Sequence, residues 1–221
     1  MKTGFPLLIA LCLLACLPAG AQENRHGGIP DEVYYLMPSF GQGTVYFTGQ
    51  APAKGLLNIC ALDQSLRFLD KEGKELEAAG ADNVIKVLID TAVFLHYQDA
   101  FYRMYPLNQA LGVAVLRDVQ IVKEAKQAGY GTTSETSSAR EYNQIYSDGV
   151  SYNLGSDKPT PYKLSETLFL YKGDDILTLN KRNLRKLFPE HKEEIDAWFK
   201  AGHALPDTVA DALETLSAWA Q

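Results

Sequence analysis

Residues 65–106 read SLRFLDKEGKELEAAGADNVIKVLIDTAVFLHYQDAFYRMYP, and this stretch decides the fold. Residues 66–69, 74–76, 83–90, 92–97 and 101–105 are dense in β-branched, aromatic and other apolar side chains. Asp, Gly or Asn interrupts them every eight to twelve positions. That pattern predicts three or four short strands in an antiparallel meander. The Asp70-x-x-Gly73 segment suits a plain hairpin turn, because Lys71, Lys74 and the missing downstream ligands argue against calcium. The stretch describes a scaffold and carries no chemistry.

Working outward, Thr44-Val45-Tyr46-Phe47-Thr48 alternates and residues 56–62 form a further apolar run, so both read as strands. Residues 22–43 contain Gly and Pro, with Tyr34-Tyr35-Leu36-Met37 as the sticky piece, and read as a tail or irregular, edge-strand lead-in. Residues 111–126 suit strands broken near Arg117-Asp118, although Val115, Val119 and Val122 would equally line a helix. Residues 129–147, rich in Ser, Thr and Tyr, read as a mobile or functional loop. Residues 162–172 and 176–179 form a strand pair around a Gly173-Asp174 turn.

From Asn180 the hydrophobic period lengthens to that of a helix. Asn180 suits an N-cap, Pro189 the first turn of a second helix, and Gly202 its end. Asp207 reads as the cap of a third helix carrying Val209, Leu213, Leu216 and Ala220. Helices this short are not stable alone and must dock. The expected fold is therefore α+β: a mainly antiparallel, meander or barrel-like β domain over 44–180, then about three short C-terminal helices over 181–221.

The first residues read as an export leader. Lys2 precedes an apolar run at 5–17, and Ala19-Gly20-Ala21 supplies the small-x-small pattern that places cleavage between Ala21 and Gln22. That run is too short to span a bilayer, so no transmembrane span is expected after processing. Leu13-Leu14-Ala15-Cys16 also resembles a lipobox, which would lipidate Cys16 and make the protein a membrane-anchored lipoprotein. Processing at either place leaves Cys60 as the sole internal cysteine, read as a buried core residue, so an internal disulfide is excluded. The formal net charge of −6 gives no broad basic footprint for nucleic acid.

The chemistry-bearing residues form no recognised motif. His26, His96, His191 and His203 lack metal-ligand spacing, and neither metal nor cofactor is expected. Asp90 and Asp99 flank a strand pair and would meet across it, which keeps open a polymer hydrolase with paired carboxylates. Asp174 and Asp175 read as turn residues. Lys181, Arg182, Arg185, Lys186 and Lys192 form a local basic cluster. It reads as a solvated helix face paired with Glu190, Glu193 and Glu194, or as a dock for an anionic partner. The twelve tyrosines suggest a recognition surface, with Tyr130, Tyr142, Tyr146 and Tyr152 in and beside the Ser/Thr/Tyr loop as its candidates.

The Asp-x-x-Gly hairpin, Tyr130-Gly131-Thr132 and the Asn180–Pro189 run followed by a charged helix resemble a family of small secreted proteins from Bacteroidota without assigned activity. The resemblance covers most of the mature chain and implies an exported, β-rich protein. The expected function is a non-enzymatic binding or structural module, periplasmic or extracellular, whose partner is a protein or glycan of the envelope. Oligomeric state is left open.

Overall fold

The computed structural model describes residues 25–79, 83–122, 144–147, 150–153 and 160–220. It is α+β, as the sequence predicts: a ten-stranded antiparallel sheet followed by helices. The strands are β1 (Gly41–Phe47), β2 (Ala53–Ile59), β3 (Leu66–Leu69), β4 (Glu75–Glu77), β5 (Val84–Ile89), β6 (Ala92–Tyr97), β7 (Ala100–Pro106) and β8 (Leu111–Ile121). After a separate hairpin of β9 (Gln144–Ser147) and β10 (Val150–Asn153), β11 (Tyr162–Lys172) and β12 (Asp175–Thr178) rejoin the sheet.

The predicted meander is two meanders. Strands β1 to β4 run one way across the sheet and β5 to β8 the other, and pairing of β1 with β5 joins them. Val45 lies opposite Val87 at that seam, and a bulge follows between Tyr46 and Phe47. Strand β8 is continuous through Arg117 and Asp118, which differs from the expected break. Its full-length pairing with β11, from Leu111↔Lys172 to Ile121↔Tyr162, supplies the ladder that holds those two polar residues in line.

The sheet curls on itself. Inward-facing Val45, Leu57, Ile59, Val87, Ile89, Phe94, Phe101 and Val119 share one buried core with Leu66. The Val119 N–H donates to the Ala61 carbonyl at 3.2 Å, so the far end of β8 meets the end of β2. Gln64 completes that closure. Its amide donates to the carbonyls of Ala61 and Arg117 at 3.1 and 3.0 Å, and its oxygen accepts from the Phe101 N–H at 3.0 Å. Where β8 passes beneath Tyr171, position 112 must lack a side chain: a Cβ there would lie 2.8 Å from the Tyr171 hydroxyl and collide with the Tyr105 carbonyl.

The described part of the N-terminal lead-in is packed. Helix α1 (Asp31–Tyr34) delivers Tyr34, Tyr35 and Leu36 to buried positions. The Leu36 N–H donates to Ile59 O, and the Ala61 N–H to Tyr34 O, at 2.9 and 2.7 Å. The first strand starts at Gly41 and lies inside the sheet between β2 and β5, not at its edge. The true edges, β4 and β12, are three and four residues long and carry Glu75, Glu77 and Asp175, which discourages edge-to-edge pairing.

Helices α2 (Lys181–Leu187), α3 (Lys192–Lys200) and α4 (Val209–Ser217) dock on the β8–β11 end of the sheet. Leu184, Ile195, Ala212, Leu216 and Trp219 bury against Leu111, Val113 and Leu170. The Asn180 side chain caps α2 by accepting from the Asn183 N–H at 2.8 Å. Gly202, at φ +85°, closes α3 by donating to Phe199 O. The cap of α4 is Thr208, whose hydroxyl accepts from the Asp211 N–H at 3.2 Å, and not Asp207.

Candidate anion-binding depression

The basic residues picked out in the sequence converge on one feature. Lys181, Arg182, Arg185, Lys186, Pro189 and Lys192 line an open depression of about 640 Å³. Helix α2 presents the first four, a 3-10 turn at Pro189–His191 reverses the chain, and α3 opens with Lys192. Pro189 causes that turn, since it has no N–H with which to continue α2. Leu184 and Phe188, buried beneath, hold α2 against the sheet, so the cations stand on a fixed surface.

The counter-ion is not the one the sequence suggests. Asp196, one helical turn into α3, sits 2.7 Å from Lys181 Nζ and 3.8 Å from Arg185 Nη1. The Lys181 ammonium holds the Asp196 carboxyl below its ordinary range, with Arg185 assisting. Glu194 instead faces His191 at 3.1 Å. Arg182, Lys186 and Lys192 have no carboxylate partner among the described residues. The lining holds five cationic side chains and no acid.

A second, smaller cleft of about 60 Å³ lies on the concave face between the N-terminal segment and α4, lined by Arg103, Arg117, Glu166, Tyr105 and apolar neighbours. Its charge is engaged: Arg117 holds Glu166 at 2.6 Å and donates to Glu32 O, while Arg103 lies over the Tyr105 ring.

Sequence reading missed a polar network beneath α1. Arg67, 3 % exposed, bonds Asp63 at 2.7 Å and faces Glu77 at 3.3 Å. Burial works against the Arg67 charge, but Asp63 first among its neighbours outweighs it and keeps the guanidinium charged. Tyr34 stacks on His26 and packs in one buried cluster with Cys60, whose thiol burial and the Asp63 charge push up to about 12. Tyr35 donates to Glu75 at 2.6 Å, and burial followed by that bond raises its hydroxyl. Apart from the Arg67–Asp63 pair, no local spacing announces this network, because its members come from the N-terminal segment with α1, the β2–β3 connection, β3 and β4. His96, by contrast, is satisfied as the sequence allows: its Nδ1 meets Val84 O at 3.1 Å.

The carboxylate pair does not form. Asp90 and Asp99 occupy turns at opposite ends of six-residue β6, about 20 Å apart along the strand. Asp174 and Asp175 lie at the β11–β12 turn, as expected. Of the tyrosine candidates, Tyr146 and Tyr152 fall on β9 and β10, in register with Ser151 and Ile145. Tyr130 and Tyr142 lie outside the described residues, as do Cys16, Ala21 and Gln22. No helix among the described residues is long and apolar enough to cross a membrane. Comparison with protein-family models, curated proteins and solved structures gives no match.

Proposed function

We propose that the protein is a non-catalytic binding module, exported to the envelope or beyond, whose contact surface for an anionic ligand is the depression between α2 and α3. The observation that carries this reading is the gathering of five cations on one concave, acid-free lining in a chain of net charge −6. Such a patch focuses positive potential in a chain of net negative charge, which favours capture of an anion there over the other described faces. Export is supported by Lys2, the apolar run at 5–17 and Ala19-Gly20-Ala21.

The test is binding of the full chain to three anionic probes: inositol hexakisphosphate, a heparin-derived oligosaccharide and vesicles of anionic phospholipid. R182E/K186E, whose two positions are exposed, should retain the wild-type Tm and lose binding by about tenfold or more. Failure of all three probes to bind wild type, or equal binding by the variant, would remove the proposal.

A further inference from the structure

We infer that the α2–α3 depression takes a compact polyanion, a small molecule carrying several phosphate-type groups close together, rather than an extended anionic chain or a lipid surface. This rests on the binding reading above and adds the ligand class.

Local energetics first mark α2 as built for something other than its own stability. Lys181 and Arg182 occupy its first turn, which contains no acid, so both oppose the helix dipole. Lys181/Arg185 and Arg182/Lys186 are like-charge pairs four residues apart, an arrangement that weakens a helix. Asp196 relieves the first pair. Nothing among the described residues relieves the second, and Lys192 joins it across the turn. Among the described residues there is therefore an unneutralised triad of one guanidinium and two ammonium groups, beside two more cations whose charge Asp196 offsets. A ligand with several oxyanions would supply the missing counter-charge: Arg182 suits two-pronged contact with one phosphate, and the lysines act as point charges for others.

Size and surroundings then limit the ligand. A volume of about 640 Å³ is in the range of small-molecule sites. Seven-residue α2 is only about 10 Å long, too short to follow a polymer through the many phosphate contacts that sustain such binding. Glu190, Glu193 and Glu194, all exposed, sit beside Pro189 and Lys192 in the chain but off the lining. A flat anionic surface laid on these helices would meet those carboxylates, whereas a ligand seated within the depression would not.

Calorimetric titration of the full chain with inositol hexakisphosphate should give one-to-one binding that weakens with salt and falls about tenfold or more in R182E/K186E. D196N, which releases Lys181 and Arg185 from their counter-ion, should bind the same probe severalfold more tightly than wild type. That gain is a result no folding defect can mimic. Tighter binding of the heparin-derived oligosaccharide or the vesicles than of inositol hexakisphosphate would overturn the compact ligand and leave the binding module standing. Unchanged or weaker binding by D196N would also overturn it, and absence of binding to any probe would remove both.

Discussion

Burial of Cys60 beside Tyr34 and Asp63 makes its thiol a poor acid, and the thiolate is the reactive form. A shift from 9.0 to about 12 lowers the thiolate fraction near pH 8 about a thousandfold. Ellman's reagent should therefore leave Cys60 unlabelled in the folded protein over minutes at pH 8 and label it at once in denaturant. The same shift sets a pH dependence. The folded state binds the proton more tightly than the unfolded state, so this stabilisation is complete below about 9 and is lost as pH rises toward 12. Tyr34 and Tyr35 move in the same direction. Urea midpoints should stay flat up to about pH 9 and then fall, with a limiting slope for Cys60 of about 1.4 kcal/mol per pH unit. C60A should flatten that fall, and an unchanged slope in C60A would remove Cys60 as its source. Gln64 is the other decisive residue. Q64A removes three hydrogen bonds at the closure and should cost about 2 kcal/mol, with faster hydrogen exchange at the Phe101 amide. The burial of Cys60 was legible in its apolar run, but the role of Gln64 was not: in the sequence it is one polar residue after Asp63, and two of its partners lie 37 and 53 positions away.

Elements with a local signature were legible and those defined by distant partners were not. Asn180 and Gly202 act on neighbours within four residues, so the start of α2 and the end of α3 could be read directly, whereas Pro189, expected in the first turn of the second helix, lies in a 3-10 turn that precedes α3. The cap of α4 slipped by one position because Asp207 and Thr208 are both capping types, and the hydroxyl of Thr208 is the group that reaches Asp211. Substituting T208A should cost about 1 kcal/mol, whereas D207A should be nearly neutral, and thermal denaturation of the two variants separates the assignments. Strand β8 showed the opposite case: Arg117 and Asp118 looked like a break, and only the ladder to β11 makes them part of one strand. Likewise the order of β1 between β2 and β5 is a property of pairing, which alternating patterns do not encode. The five cations were plain in the sequence; their concavity needed the turn at Pro189 and the burial of Leu184 and Phe188.

Across the whole molecule, the C-terminal helices share an apolar core with the β8–β11 end of the sheet, so helices and sheet should melt together. Leu216, 1 % exposed, packs in that core with Leu111, Val113 and Leu170. L216A should cost about 2–5 kcal/mol. Near-ultraviolet signals from Trp198 and Trp219 should then shift in step with the far-ultraviolet signal of the sheet, and separate transitions would show that the helical unit is an independent part. This coupling keeps the depression a fixed feature on a rigid support, and it gives the binding proposal its most direct test. Amide chemical shifts of the labelled full chain should be followed during titration with inositol hexakisphosphate. The shifts should gather on residues 181–192 and at Asp196, with the sheet unmoved. Shifts gathered on the β9–β10 hairpin around Tyr146 and Tyr152, or no shifts at all, would contradict it.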